Sequence, residues 1–151
     1  MKHRTWASVA AATILFAWFT AACAGAPPTV VSLGDFALES GKTLNDCRIA
    51  YRTMGTLNPQ GSNAVLVTTW LAGTSQEMID LGFVGPGKAV NTDRFYAIIV
   101  DALGNGVSSS PSNSKAQPGA AFPAFTTADL VRTQYELLKK LGIKHLYAVT
   151  G

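Results

Sequence analysis

The most informative residues for chemistry stand at the end of the chain, where a β-prone run passes into glycine. Residues 146–149 are predicted to form a strand, which Thr150 and Gly151 follow. In the elbow Gly-x-Ser-x-Gly, a sharp turn after a strand presents a serine nucleophile, and small neighbours relieve the strained backbone. Gly151 has the position of the first glycine, so that the serine would come two positions later. A plain strand that ends in glycine is the alternative.

A complete Ser-His-Asp triad is not expected within the 151 residues. The sequence has two histidines: His3 lies near the N-terminus, and His145 opens a predicted strand at the end opposite the expected site. The serines at positions 108–110 and the carboxylate of Asp101 therefore have no suitable general base. A catalytic Cys47–His145 dyad is not expected either, because His145 lies at the end of its strand opposite the expected site.

Cofactor and metal sites are also not expected. The run Gly104-Asn105-Gly106 follows a predicted strand, as in a dinucleotide-binding loop. However, Ser109 replaces the third glycine, and Pro111 prevents the helix whose N-terminus would hold a pyrophosphate. Histidine, cysteine and carboxylate residues show no clustered metal-ligand spacing. We therefore predict no cofactor and no metal.

Five strands are predicted to position these residues. Residues 30–38 and 46–54 alternate in polarity around a turn, which predicts an antiparallel hairpin with Cys47 as a half-buried strand residue. Three continuous apolar runs follow, at residues 64–70, 95–100 and 146–149. Runs of this kind are typical of strands buried on both faces of a parallel sheet.

A helix over residues 127–141 is predicted between the last two strands. Thr126 can cap it, with Asp129 as the partner in a capping box. Its apolar stripe comprises Leu130, Leu137, Leu138 and Leu141. Two long loops, at 71–93 and 102–125, follow the carboxyl ends of buried strands, which is where open α/β sheets place their sites.

Composition and charge exclude two classes of protein. The chain has 151 residues, of which 48% are hydrophobic and 14% charged, and its formal net charge is +3. This hydrophobic fraction excludes a disordered chain. Lys2 and Arg4 are two of the twelve basic residues, so that ten remain against nine acidic residues beyond the first 24 positions. We therefore predict no nucleic-acid partner.

Residues 1–24 are predicted to be a targeting leader, followed by a linker at 25–29. Basic side chains at positions 2–4 precede an uncharged apolar stretch over 7–22, which is shorter than the ~20 residues of a spanning helix. Cleavage at the end of the leader would release a soluble protein, lipidation of Cys23 would anchor it, and an uncleaved anchor is the third alternative. We predict an exported location (periplasmic, secreted or lipid-anchored) with membrane contact through the leader or that lipid alone.

Several segments together carry a family resemblance. They are Gly85-Pro86-Gly87-Lys88-Ala89-Val90-Asn91-Thr92-Asp93-Arg94-Phe95, Phe122-Pro123, residues 126–132, Leu141-Gly142-Ile143 and residues 146–151. In this order they resemble the homoserine O-acetyltransferase family of the α/β-hydrolase fold. The resemblance covers residues 30–151 and implies an incomplete domain of the α/β class. It would be the N-terminal portion of an α/β-hydrolase sheet, with an antiparallel hairpin, then parallel strands with a crossover helix, truncated before the nucleophile elbow.

The resemblance also implies part of an oxyanion hole. In this fold one donor is the N–H after the nucleophile, and the second comes from the loop after the third strand, where Leu71 aligns. An ordinary loop residue is the alternative for Leu71. Asn105 and Ser108 are candidate pocket residues.

Two departures from the acetyltransferases bear on the substrate. Their His-Ala-Leu-Thr-Gly run is here Thr69-Trp70-Leu71-Ala72-Gly73, and residues 103–113 resemble relatives described as α/β hydrolases. An exported protein is also an unusual place for methionine biosynthesis with cytosolic acetyl-CoA.

We therefore predict an exported, serine-dependent ester hydrolase or O-acyltransferase that acts on a small-molecule ester or acyl donor. Its serine, histidine and aspartate would lie beyond residue 151, so that this chain alone is inactive. The rival hypothesis is a complete small exported binding protein or surface lipoprotein without catalysis. The nucleotide sequence downstream of codon 151 distinguishes the two.

Overall fold

The computed structural model describes residues 26–70 and 72–151. The predicted leader, its lipidation candidate Cys23 and the predicted oxyanion donor Leu71 lie outside the described residues. The strands are β1 (Thr29–Ala37), β2 (Thr43–Met54), β3 (Ala64–Thr68), β4 (Val84–Gly85), β5 (Val90–Asn91), β6 (Tyr96–Val100) and β7 (Ala148–Thr150). The helices are α1 (Ser75–Asp80) and α2 (Thr127–Lys140), with one 3-10 turn at Gly119–Ala121.

Five strands form one mixed sheet in the order β1-β2-β6-β3-β7. β2 pairs antiparallel with both β1 and β6, whereas β3 pairs parallel with β6 and β7. The predicted hairpin and the predicted parallel strands are therefore confirmed. The connection from β6 through α2 to β7 passes over β3, so that the crossover encloses one intervening strand.

The two central strands are buried on both faces, as predicted. On one face Leu66 and Ile98 pack with Leu137 of α2 and with residues of the β1–β2 hairpin. On the other face Val67 and Ile99 pack with residues of α1, β4 and β5. Because β3 and β6 are parallel and adjacent, their carboxyl ends, Thr68 and Val100, lie side by side.

The prediction that the third apolar run is buried on both faces is wrong. Tyr147 is 63% exposed and Val149 is 60% exposed. Within the described residues β7 is the edge of the sheet and pairs with β3 alone, and no described element covers both of its faces. Its apolar sequence indicated a buried strand, but the position of a strand in a sheet depends on its partners.

Helix α2 begins with the predicted capping box. Asp129 is completely buried, and its carboxylate accepts hydrogen bonds from the backbone N–H groups of Thr126 and Glu39, both at 3.0 Å. Burial opposes ionisation, but these donors and the guanidinium of Arg132 at 3.1 Å lower the pKa of Asp129 below its usual value. The carboxylate thereby fastens the helix N-terminus to the β1–β2 turn.

The predicted loop over 71–93 contains regular structure that the periodicity did not reveal. It holds α1 and the short parallel pair of β4 with β5. The side chain of Thr74 accepts from the N–H of Glu77, whose carboxylate accepts from the N–H of Thr74 at 2.7 Å. This Thr-x-x-Glu capping box is a sequence signal that could have located α1.

Candidate active site

A cavity of about 260 Å³ lies at the carboxyl ends of β3 and β6. Its lining residues come from the loops after these strands and from the N-terminal region of α2, and they are Thr69, Trp70, Ala72, Ala102, Leu103, Gly104, Asn105, Phe125 and Leu130. Carboxyl ends of adjacent parallel strands are where α/β sheets bind their ligands. Both long loops of the sequence analysis therefore converge on one cavity.

A tight turn follows β3 and borders this cavity. The N–H of Gly73 donates to the carbonyl oxygen of Trp70 at 2.9 Å, and Ala72 has φ of 62° in the left-handed region. A non-glycine residue there costs about 1–2 kcal/mol, and such strain tends to occur at functional sites. A Cβ at Gly73 would come within 2.6 Å of the indole ring of Trp70, so that glycine allows the close packing. We call residues 70–73 the β3 turn.

The predicted oxyanion donor belongs to the β3 turn. Leu71 stands between Trp70 and Ala72 but lies outside the described residues, so that its role stays a prediction. The described residues on both sides show that the turn is narrow and closed by a backbone hydrogen bond.

A buried carboxylate fixes the segment behind the turn. Asp101, the residue after β6, is completely buried. Its Oδ1 accepts from the N–H of Ser75 at 2.8 Å, and its Oδ2 accepts from the Oγ hydroxyl of the same serine at 2.6 Å. The start of α1 is thereby tied to the end of β6. The sequence indicates Asp101 as a partner for a general base, and its contact with Ser75 is not apparent from the sequence.

Asn105 joins the two loops at the cavity. Its Nδ2 donates to the carbonyl oxygen of Gly73 at 3.0 Å and to Oδ1 of Asp101 at 3.3 Å. Its Oδ1 accepts from the N–H groups of Val107 and Ser108. The structure places Asn105 in the cavity lining, as the sequence analysis expected of a pocket residue.

Ser108 is completely buried behind the cavity. Its hydroxyl donates to the carbonyl oxygen of Asp101 at 2.5 Å and accepts from the N–H of Ala50 at 2.9 Å. The hydroxyl of Ser109 similarly accepts from the N–H of Arg48 at 2.9 Å. These two hydroxyl groups form hydrogen bonds with backbone groups of β2 and of the loop after β6. Their protons therefore do not point into the cavity.

One wall of the cavity depends on a glycine. A Cβ on Gly104, whose φ is 90°, would meet the ring of Phe125 at 2.6 Å. Across the cavity, the Oγ1 of Thr69 is buried and has no hydrogen-bond partner among the described residues. A buried hydroxyl without a partner is uncommon, and a bound polar group is one way to satisfy it.

Gly151 lies beside the carboxyl end of β3. A Cβ at this position would come within 2.0 Å of Oγ1 and 2.8 Å of the carbonyl oxygen of Thr68. A side chain therefore does not fit there, which agrees with the small residue that an elbow needs. Whether Gly151 begins an elbow stays a prediction.

The remaining candidates lie elsewhere. His145 is exposed and precedes β7, at the opposite end of the sheet from the cavity. Cys47 is completely buried rather than half-buried as predicted, because its strand is covered by the core; this burial, with the nearby Asp46 carboxylate, raises the pKa of Cys47 to about 12. Its thiol is therefore protonated at neutral pH and is a poor nucleophile.

The described residues contain neither a metal-ligand cluster nor a membrane-spanning helix. Among them, no three His, Cys, Asp or Glu side chains are grouped as metal ligands. In the same part of the chain, no helix has the length and apolar character needed to cross a bilayer.

Comparison with known proteins places the chain beside esterases and acetyltransferases. It is 36% identical over 137 residues to a probable esterase of Corynebacterium glutamicum, covering 89% of this chain and 39% of that protein. It is 36% identical over 127 residues to the ethyl acetate hydrolase of Pseudomonas veronii, covering 83% and 36%. It is 37% identical over 134 residues to the homoserine O-acetyltransferase of Methanococcoides burtonii, covering 78% and 28%. No protein-family model matches the chain.

Solved structures agree with these relatives. The acetyl esterase MekB has a TM-score of 0.77 and 36% identity, covering 83% of this chain and 37% of that one. An acetylester hydrolase from Corynebacterium glutamicum has the same TM-score and identity, covering 82% and 36%. The chain thus spans less than two fifths of the length of each of these proteins. The chain is similar in sequence to homoserine O-acetyltransferases and esterases, and it has the fold of the N-terminal part of an α/β-hydrolase.

Proposed function

We propose that the chain supplies the oxyanion side and part of the substrate pocket of an exported, serine-dependent ester hydrolase or O-acyltransferase. The observation that carries the proposal is the strained β3 turn, which is held next to a cavity at the carboxyl ends of β3 and β6. Gly151 directly follows β7 and lies beside Thr68 at the carboxyl end of β3, so that an elbow beginning there would present its serine towards the turn.

The proposed chemistry is acyl transfer through a tetrahedral intermediate. The serine of the elbow attacks the ester carbonyl, whose oxygen becomes negatively charged, and the alcohol then leaves as the acyl-serine forms. The backbone N–H of Leu71 donates to this oxygen, together with the N–H after the serine. Water or an alcohol then accepts the acyl group and regenerates the serine. The serine, histidine and aspartate would lie beyond residue 151.

A short, uncharged acyl or alcohol group fits the cavity best. The described lining is largely apolar, with Trp70 and Phe125 as its large side chains, and none of the described lining residues carries a charge. Homoserine is a zwitterion at neutral pH, and a charged substrate needs charged or strongly polar partners when it is desolvated. The uncharged lining supports ester hydrolysis, as in the relative named ethyl acetate hydrolase, over transfer to homoserine.

Export rests on the leader sequence. Basic residues, an apolar stretch and small residues up to Cys23 have the order of a secretory signal. The intact mass of the protein isolated from its host distinguishes the three outcomes: loss of about 24 residues, the added mass of lipid on Cys23, or an unprocessed leader.

The test of the proposed activity is reconstitution of the missing part of the fold. The full 151-residue chain is co-expressed with the C-terminal portion of the Pseudomonas veronii ethyl acetate hydrolase that follows the matched segment, and this portion is preceded by the same residues 1–24 so that both parts reach one compartment. We expect the pair to hydrolyse 4-nitrophenyl acetate and each part alone to show no turnover. A serine-directed phosphonate should stop the reaction.

Two results would contradict the proposal. One is turnover by the 151-residue chain alone that is sensitive to the serine reagent, since the nucleophile would then lie within it. The other is a co-purified, folded pair without turnover. Translation of the nucleotide sequence after codon 151 is an independent check, because a Ser-x-Gly continuation at positions 153–155 is expected.

A further inference from the structure

We propose that Asp101 and Asn105 are positioning residues, which set the direction of the β3 turn and thereby of the N–H groups that it presents. This inference rests on the proposed oxyanion role of the turn. Its physical content, however, is the order of the turn, which is measurable without any activity.

The hydrogen bonds clamp the segment that follows β3. The start of this segment is held by the sheet, because Thr68, the last residue of β3, pairs with Val100 of β6. Its far end is held twice, at the carbonyl of Gly73 by Asn105 and at the N–H and hydroxyl of Ser75 by Asp101. The described residues of the turn are therefore held on both sides, by the pairing of β3 with β6 and by the hydrogen bonds to Gly73 and Ser75.

The burial of Asp101 and its hydrogen-bond partners support a positioning role. Asp101 is completely buried, and no lysine or arginine of the described residues forms an ion pair with it. Its described partners are the N–H and hydroxyl of Ser75 and the amide of Asn105. Burying a carboxylate costs several kcal/mol unless hydrogen bonds compensate, whereas an apolar side chain would join a strand to a loop without that cost. The carboxylate gains directed hydrogen bonds to a specific backbone position.

Small displacements of such a turn matter for acyl transfer. An oxyanion donor acts when it lies about 2.7–3.1 Å from the developing charge, and a misplacement of about 1 Å costs on the order of 100-fold in rate. A clamp that restricts the turn before substrate binds is the arrangement that this requirement favours.

Trp70 is a built-in reporter of the turn. The full chain has three tryptophans, at positions 6, 18 and 70, so that Trp6→Phe and Trp18→Phe leave the indole of the β3 turn as the single fluorophore. This indole packs against Gly73, the residue that Asn105 holds. Its fast anisotropy decay measures the local freedom of the turn.

The matched control is at the other end of β3. Asn63 also bridges two segments, because its Nδ2 donates to the carbonyls of Thr56 and Arg94, both at 3.0 Å, and its Oδ1 accepts from the N–H of Asn58. Asn63→Ala therefore removes a comparable set of hydrogen bonds without touching the turn.

In this background we expect Asp101→Ala and Asn105→Ala to raise the amplitude of the sub-nanosecond decay of Trp70, because a side chain released from packing moves on the ps–ns timescale. Asn63→Ala should leave it unchanged. Asp101→Asn should largely restore the parent value, because its amide oxygen can accept from the N–H of Ser75 while its NH₂ donates to the hydroxyl.

The proposal is overturned if folded Asn105→Ala and Asp101→Ala chains keep the parent decay, or if Asn63→Ala changes it equally. If Asp101→Ala does not fold, the anisotropy decay of Trp70 in Ser75→Ala and Asn105→Ala tests the same proposal. In the reconstituted enzyme the positioning variants should lower kcat with little change in KM. If the variants change the anisotropy decay of Trp70 but the reconstituted pair has no esterase activity, the positioning role of Asp101 and Asn105 is supported and the proposed function is contradicted.

Discussion

The two ends of the β3–β6 pair have opposite characters, although both are bridged by an asparagine. At the amino end, Asn63 satisfies the backbone of three neighbouring segments. At the carboxyl end, Asn105 does similar bridging, but beside it lie a left-handed Ala72, a buried Asp101 and the hydroxyl of Thr69, which has no hydrogen-bond partner among the described residues. Comparable features occur in β2, where Asp46 has a positive φ and the Nε atoms of Arg48 and Arg52 are buried without a described hydrogen-bond partner. At the carboxyl end of β3 and β6, however, these features lie beside a cavity.

This difference shows where the fold tolerates unfavourable local features. Non-glycine residues in the left-handed region and buried unpaired polar atoms each destabilise a protein, and they persist where the surroundings hold them in place. The same end has the cavity and the exposed Trp70. The cavity at the carboxyl ends of β3 and β6, together with the strained turn beside it, therefore identifies this end as the candidate site.

The largest expected effect separates the backbone of Leu71 from its side chain. In the reconstituted enzyme, Leu71→Pro removes the N–H and should lower kcat by about 10²–10³-fold, the loss typical of one oxyanion donor. Leu71→Ala keeps the N–H and should change kcat much less. Rates for 4-nitrophenyl acetate measure both. Equal losses in the two variants would show that the side chain, and not the N–H, matters.

A smaller effect is expected from two glycines of the loop after β6. Gly104 and Gly106 have φ of 90° and 93°, so that alanine would strain the backbone equally at both positions. The two positions differ in their surroundings: a Cβ at Gly104 would lie 2.6 Å from the ring of Phe125, whereas a Cβ at Gly106 would lie 3.9 Å from its nearest atom. Gly104→Ala should therefore be less stable than Gly106→Ala by about 1–3 kcal/mol, the cost of overpacking. Urea denaturation measures the difference.

A repacked Phe125 should also alter the cavity. We expect Gly104→Ala to change the selectivity of the reconstituted enzyme between acetyl and butyryl esters, with Gly106→Ala as the control. Equal stability and equal selectivity of the two variants would mean that Phe125 does not form the wall as described.

The smallest effect concerns the N-terminus of α2, which borders the cavity through Leu130. The pKa of Asp129 is lower in the folded chain than in the unfolded chain, where it is ~3.9. At pH values above the unfolded pKa, the ionised carboxylate therefore stabilises the fold. This stabilisation is lost as the pH falls through the lowered pKa of the folded chain. Asp129→Asn should thus be less stable than the parent at pH 7, and the difference should shrink in acid. Denaturant midpoints between pH 7 and pH 3 test this sign, with Asp93→Asn at the amino end as a control for the loss of one charge.

Sequence reasoning succeeded where the signal is local. The alternation of β1 and β2, the apolar runs of β3 and β6 and the capping box of α2 each depend on neighbouring residues, and the structure confirms them. Helix α1 has six residues and β4 and β5 two each, which is too short for a periodic pattern.

The site itself depends on contacts that a sequence does not display. Asp101 meets Ser75 across 26 positions, and Asn105 meets Gly73 across 32. The general signal was present, since Asp101 directly follows the buried strand β6 and Asn105 lies in the loop after it, but their partners are set by the parallel pairing of β3 with β6. The exposure of β7 likewise depends on its strand partners, because its apolar sequence is that of a central strand although it forms the edge of the described sheet.

The most direct test of the central claim observes the Leu71 amide itself. The full chain is labelled with ¹⁵N-leucine, reconstituted with the Pseudomonas veronii portion and treated with a 4-nitrophenyl phosphonate, whose phosphoryl oxygen occupies the position of the oxyanion. We predict a downfield shift of the Leu71 amide proton when the serine is modified, with the other leucine amides of the described residues largely unchanged. An unchanged Leu71 resonance, with complete modification of the serine by mass, would contradict the account.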